Sequence, residues 1–301
     1  MAQSGIVWLP DRAAVPAVAF AAAVAVLTGC GAPTVAPESA SAGPPSDAAP
    51  AGGASSLVGD YRPGLPAEMR LPAEAGPAPL VVMVPGGGWQ TADPAGLVPL
   101  AESLTGAGAV TTTITYRTTA DGATFPAPVD DVACAVRWAA ARAGEAGYPP
   151  SDVILLGHSA GGHLAALVTL SGDRFGGTCP EAAAPVTGLV GLAGVYSVEQ
   201  LTGTLDGFFG TTRADDVDRW NDGDPLWWAE HARAADGLRV LLLHGDADEV
   251  VPVSQTALLA DALTAAGIEV TVEILPGQTH GSVYEAGAAA DPIAGWLAGG
   301  T

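Results

Sequence analysis

Val153-Ile-Leu-Leu156-Gly157-His158-Ser159-Ala160-Gly161-Gly-His163-Leu164-Ala165-Ala-Leu167-Val168 is the stretch that decides the fold. Four apolar residues run without interruption into a serine flanked by glycines. Apolar residues then recur at helical spacing. The stretch predicts a buried strand, a tight turn and a helix in succession. The pattern Gly-x-Ser-x-Gly is a modest signal by itself in a chain with 40 glycines. Its place between a strand and a helix makes it specific. Such a turn holds the serine in a strained backbone conformation with its hydroxyl exposed at the strand end, and the helix N-terminus brings free N–H groups and a positive dipole to it. The plain alternative is a glycine-rich strand–helix turn carrying an ordinary serine.

Working outward, the same alternation fills the chain from residue 57 onward. Short β-rich runs cover Leu80–Val84, Ala109–Tyr116, Val153–Leu156, Gly188–Ala193, Leu238–Leu243 and Glu269–Leu275. Between and after them lie helical stretches at 128–143, 160–171, 252–266 and 288–298. Continuous apolar strands separated by helices predict an α/β protein: a doubly wound, mostly parallel sheet with helices on both faces. Chemistry on such sheets sits in the loops at the carboxyl ends of the strands.

A serine at the end of a strand needs a base, and the chain has five histidines. His158 adjoins Ser159 and diverges from its hydroxyl. His163 lies one turn into the following helix, as a wall or packing residue. His231 falls in a helical stretch remote from any strand end. His244 follows the strand ending at Leu243 and braces the next loop. His280, in Pro276-Gly-Gln-Thr-His280-Gly281, directly follows the last strand, so position and elimination make it the base. The base in turn needs a carboxylate, and Asp246, Asp248 and Glu249 all lie in the loop His244–Pro252.

Gly157–Gly161, His244-Gly-x-x-Asp248-x-x-Val251-Pro252 and the late His280 resemble the α/β-hydrolase superfamily. Pro85-Gly86-Gly87-Gly88-Trp89 resembles the His-Gly-Gly-Gly-Trp oxyanion loop of its esterase and hormone-sensitive-lipase-like branch. Tyr116-Arg117, Phe125-Pro126 and Asp130-Asp131 through Trp138 follow that branch in order and spacing. The similarity covers about residues 57 to 298. It implies the α/β-hydrolase fold, Asp248 as the acid, and the N–H groups of Gly87, Gly88 and Ala160 as oxyanion donors. It further implies carboxylic ester hydrolysis through an acyl-enzyme on Ser159. No cluster of His, Asp and Glu in the sequence has metal-ligand spacing, so neither a metal nor a cofactor is expected. Pro85 stands where the branch carries His, so the loop lacks the side chain that usually braces it there. An amidase, arylformamidase or peptidase would use the same triad, and a non-catalytic surface lipoprotein would keep the fold without the chemistry.

Between residues 196 and 232 lie Phe208, Phe209, Trp220, Trp227 and Trp228. They form either a cap walling the acyl pocket or satellite packing under an insertion. Nothing there is long or apolar enough to grip long acyl chains, which favours short to medium acyl esters as substrates.

The N-terminal part is set apart by composition. An apolar run from Ala13 to Leu27 ends in Leu27-Thr-Gly-Cys30, which looks like the lipobox of a bacterial signal peptide. The plain alternative is a cleaved secretory signal with an incidental cysteine. Residues 31–56 are rich in Ala, Gly, Pro and Ser and cannot bury enough apolar area to offset chain entropy. The expected organisation is therefore a signal segment at 1–30, a structureless tether at 31–56 and a catalytic domain at 57–301. A lipidated Cys30 would hold that domain at the outer face of a membrane; otherwise the protein is secreted. Export permits a disulfide, and an even pair without metal-ligand spacing, Cys134 and Cys179, is expected to form one. The net charge of −21 excludes a nucleic-acid footprint, which needs a basic face.

Overall fold

The computed structural model describes residues 55–201, 205–231 and 237–299. The signal segment, Cys30 and the tether up to residue 54 lie outside the described residues. The first strand, β1 (Ser55–Arg62), begins two residues ahead of the expected domain start at 57.

β1 turns back through Pro63-Gly64 into β2 (Leu65–Leu71). There follow β3 (Ala78–Val84), helix α1 (Val98–Gly106), β4 (Val110–Ile114), α2 (Ala127–Glu145), β5 (Pro150–His158), α3 (Ala160–Ser171) and β6 (Gly188–Leu192). Three short helices, α4 (Asp206–Phe209), α5 (Val217–Asp222) and α6 (Pro225–His231), occupy the insertion after β6. β7 (Arg239–Gly245), α7 (Ser254–Ala265), β8 (Glu269–Leu275) and α8 (Ala286–Leu297) complete the order.

The eight strands form one sheet in the order β1-β2-β4-β3-β5-β6-β7-β8. β1 and β2 pair antiparallel, as do β2 and β4, and every later pairing is parallel. Alternate residues of one strand enter opposite cores, as the two-residue period requires. From β3, Leu80, Val82 and Val84 pack toward one face and Val81 and Met83 toward the other. In β7, Val240 and Leu242 separate from Leu241 and Leu243 in the same way. Residues of α2, α3 and α7 share the first core, and those of α1 and α8 the second. Both faces are thus covered, and this is why the central strands read as unbroken apolar runs.

Two elements escape the sequence reading. The β1–β2 hairpin is largely exposed along β1, so it lacks the apolar run that marked the other strands. Its signal is the Pro63-Gly64 turn, where Gly64 takes φ 77° and its N–H donates to Asp60 Oδ2 at 3.1 Å. Helix α1 opens on Val98-Pro99, which the first helical turn accepts, and buries Leu100, Ala101 and Leu104 at helical spacing.

Candidate active site

Ser159 joins β5 to α3 with φ 54° and ψ −120°, a conformation that strains any residue with a Cβ. Its N–H donates to the Leu192 carbonyl of neighbouring β6 at 3.0 Å, which holds the turn to the sheet. The elbow leaves no room for larger neighbours. A Cβ on Gly161 would lie 2.2 Å from the Val84 carbonyl oxygen at the end of β3. One on Gly86 would meet Nδ1 of His158 at 2.8 Å and Cβ of Ser159 at 3.1 Å. Glycine at both positions lets the loop after β3 lie directly against the serine.

His280 is carried over the elbow by the loop after β8. Its Nε2 accepts the Ser159 Oγ hydroxyl at 2.9 Å, and its Nδ1–H donates to Asp248 Oδ2 at 2.8 Å. The other oxygen, Oδ1, accepts the N–H groups of Val250 and Val251 at 2.8 and 2.9 Å. The Asp248 side chain is 1% exposed. Burial pushes its pKa up, but hydrogen bonds from Val251, His280 and Val250 outweigh it, and the carboxyl stays below its usual range. Asp248 is thus the one of the three candidate carboxylates that meets His280. Asp246 accepts the Gly277 N–H at 2.6 Å instead, and Glu249 is exposed.

Two of the other histidines, His158 and His244, support this arrangement. His158 donates from Nε2 to the His280 carbonyl at 2.9 Å and packs between the rings of His280 and Tyr284. Burial, with the His280 imidazole beside it, lowers its pKa to about 3, so it is a neutral donor. His244 is buried beside the acid: Nδ1 faces Thr256 Oγ1 at 2.7 Å, and Nε2 faces the Val251 carbonyl at 3.0 Å and Asp248 Oδ2 at 3.3 Å. His231 stacks on Trp227 in α6 and takes no part.

The oxyanion loop is fastened on several sides. The Pro85 carbonyl accepts the Tyr116 hydroxyl at 3.0 Å. The Trp89 carbonyl accepts the N–H and the hydroxyl of Thr119 at 2.9 and 3.1 Å. Gly87 and Gly88 sit at φ 134° and 59°, and neither N–H donates to a backbone carbonyl among the described residues. Ala160 is the first residue of α3, whose first-turn amides have no acceptor within the helix. Arg117, which follows Tyr116, binds buried Asp131 through Nε and Nη2, both at 2.7 Å, and so ties this strand end to α2.

The insertion after β6 divides its aromatic residues between two duties. Phe208 packs on Trp89, with ring centres 5.4 Å apart, and lines a cavity of about 280 Å³ beside the oxyanion loop. Gly88, Thr119, Ala120 and Leu205 line it as well. Phe209 and Trp220 stack at 4.1 Å as buried core, while Trp227 and Trp228 are half-buried and do not line the cavity. Cys134 and Cys179 are joined in a disulfide, Cα atoms 5.2 Å apart, that ties α2 to the loop beyond α3.

A nucleophile elbow, a late histidine and an acid after the penultimate strand, on this sheet, define an α/β-hydrolase of the esterase/lipase branch. The chain belongs to the BD-FAE family, whose model matches residues 68–263. Among curated proteins it is 30% identical over 62% of its length to the probable carboxylic ester hydrolase LipM of Mycobacterium tuberculosis. It is 31% identical over 72% of its length to esterase LipC of the same organism. It spans 45% and 56% of those two proteins, about half of each. Among solved structures it resembles the thermophilic esterase Est2 of the planctomycete Thermogutta terrifontis with propionate bound. The identity is 26%, the TM-score 0.64, and the match covers 81% of this chain and 92% of Est2.

Proposed function

We propose that the chain is a carboxylic ester hydrolase that works through an acyl-enzyme on Ser159. The observation that carries this reading is the unbroken chain of hydrogen bonds from Ser159 through His280 to Asp248, set at a strained elbow. His280 Nε2 takes the hydroxyl proton as Oγ bonds to the ester carbonyl carbon. The Gly87, Gly88 and Ala160 N–H groups receive the charge that develops on the carbonyl oxygen. As the tetrahedral species collapses, the carbon–oxygen bond to the alcohol breaks, and His280 returns the proton to the leaving oxygen. Water repeats the sequence on the acyl-enzyme, releasing the acid and restoring Ser159. Asp248, ionised throughout, fixes the tautomer and stabilises the imidazolium.

The cavity beside Gly88 is assigned to the acyl group. Its small size and the Phe208 wall favour short acyl chains, in keeping with the propionate held by Est2. The Leu27-Thr-Gly-Cys30 end of the apolar run supports a lipid on Cys30 that would hold the enzyme at the outer face of a bacterial membrane; without the lipid the protein is secreted. Ser159→Ala tests the central claim. It should cut hydrolysis of aryl acetates by at least about a thousandfold and abolish labelling by a fluorophosphonate probe. Retention of a tenth of the parent activity would exclude Ser159 as the nucleophile.

A further inference from the structure

The oxyanion loop lacks a histidine at Pro85, yet a histidine holds it from the opposite side. Trp89 sits at φ 59°, which a bulky residue keeps only when its surroundings enforce it. Its indole Nε1–H donates to Nδ1 of His163 at 3.2 Å. Nε2–H of the same imidazole donates to the Gly223 carbonyl at 2.9 Å. Indole nitrogen can only donate and a carbonyl can only accept, so the two bonds fix His163 as the neutral Nε2–H tautomer. The ring is fully buried and meets Trp89 and Phe208 edge-on, at 5.3 and 5.5 Å between centres. Gly223 closes α5, where its N–H donates to the Arg219 carbonyl at 3.1 Å, and a Cβ there would strike the Phe209 ring at 2.3 Å, so the residue is held at the helix end and packed against the aromatic core. A buried polar side chain with both nitrogens satisfied costs nothing in unpaired groups and defines a single arrangement of its neighbours.

We infer that His163 is a positioning residue of the oxyanion hole: through Trp89 it clamps the loop bearing the Gly87 and Gly88 amides to the rigid end of α5. The inference rests on the ester-hydrolase reading for its kinetic consequence alone; the clamp itself is a property of the fold. His163 touches no reacting atom. Its effect on rate is indirect, since amides displaced by a fraction of an ångström stabilise the developing oxyanion less while binding the uncharged ester nearly as well.

Two variants isolate the clamp. Trp89→Phe keeps an aromatic ring but deletes the N–H together with the rest of the pyrrole ring, which also lines the cavity beside Gly88, whereas His163→Leu keeps comparable volume, leaves that wall in place and deletes both bonds. Each should lower kcat for an aryl acetate by about 10- to 100-fold, with KM within about threefold and the pH profile of kcat unchanged. The double variant should fall no further than the worse single one, because both cut the same link. His163→Gln, which offers one acceptor and one donor, should recover part of the loss. Independently of catalysis, the Gly87 and Gly88 amide resonances should move in both single variants. If the parent protein were not labelled at Ser159, the ester-hydrolase reading would fail while these resonances still decide the clamp. Unmoved glycine resonances, kcat losses that multiply in the double variant, or a loss of melting temperature with kcat intact would each overturn it.

Discussion

Asp246 Oδ1 accepts the Gly277 N–H at 2.6 Å, two residues from the Asp248 carboxylate that holds His280. The two aspartates act on the same loop from different ends. Asp246 fastens the start of the segment 276–280 to the end of β7, and Asp248 engages the imidazole at its far end. They lie on one turn with one charge each, yet their contributions to catalysis should differ widely.

Asp248→Asn should reduce kcat for a short acyl ester by about a thousandfold or more. The amide leaves the imidazole in the wrong tautomer and removes the charge that stabilises the imidazolium. Asp246→Asn keeps an acceptor for Gly277 and should cost less than about fivefold. Steady-state kinetics on the two purified variants decide the matter. Comparable losses, or the larger loss at Asp246, would reverse the assignment.

The elbow was legible because β5, Ser159 and α3 are contiguous, so period and glycine placement suffice to find it. His280 was legible because few histidines compete and only one follows the last strand. The acid was not fixed by its own neighbourhood. Three carboxylates fall within residues 246–249, and the choice among them depends on how the loops after β7 and β8 meet, a long-range property. From sequence His163 reads as a wall or packing residue, because its partner Trp89 lies 74 positions away, on a loop whose path the sequence alone does not set. The aromatic residues after β6 were ambiguous for the same reason. Composition marks them as buried, but only packing separates Phe208, on the cavity, from Trp220, in the core.

Acid should destabilise this protein earlier than its carboxylates would suggest. Burial lowers the pKa of His163 to about 4 and that of His158 to about 3, against about 6.5 in an unfolded chain. Below pH 6.5 the unfolded state takes up protons at these sites and the folded state does not, so stability falls as pH drops toward 4. The slope is about 1.4 kcal/mol per pH unit for each histidine. Asp224 works in the opposite sense, since burial raises its pKa to about 6 and the folded state gains a proton first. Urea unfolding at pH 7, 6 and 5 should show the net decline. In His163→Leu the slope should be shallower by one histidine's worth, and an unchanged slope would mean that His163 is not held neutral.

Processing at Cys30 is expected to determine where the enzyme works. One acyl chain of myristoyl length binds a membrane only marginally, whereas two anchor it stably, at about 0.8 kcal/mol per buried methylene. The native product of a bacterial host should therefore partition into the detergent phase, and Cys30→Ala should abolish that partitioning with specific activity preserved. A native protein recovered from the medium without lipid, and with its N-terminus beyond residue 30, would show an ordinary secretory signal.

Chain-length preference should be set at Phe208. Its ring is 3% exposed, closes the cavity next to Gly88 and rests on Trp89 and Phe125, at 5.4 and 6.1 Å between centres. Phe208→Ala removes that wall and should raise kcat/KM for hexanoyl and octanoyl esters relative to acetyl by about tenfold. One methylene in an apolar pocket is worth up to about 1 to 3 kcal/mol of discrimination, so several newly accommodated methylenes suffice for this shift. Loss of the buried ring will also cost about 3 to 5 kcal/mol of stability. Phe208→Leu, which leaves a smaller void, separates the two effects and should move the preference in the same direction at a lower stability cost. Rates across an aryl ester series from acetyl to octanoyl provide the measurement. If both variants fold and keep the parent profile, the acyl chain does not enter this cavity, and the assignment of the pocket would have to move elsewhere along the elbow.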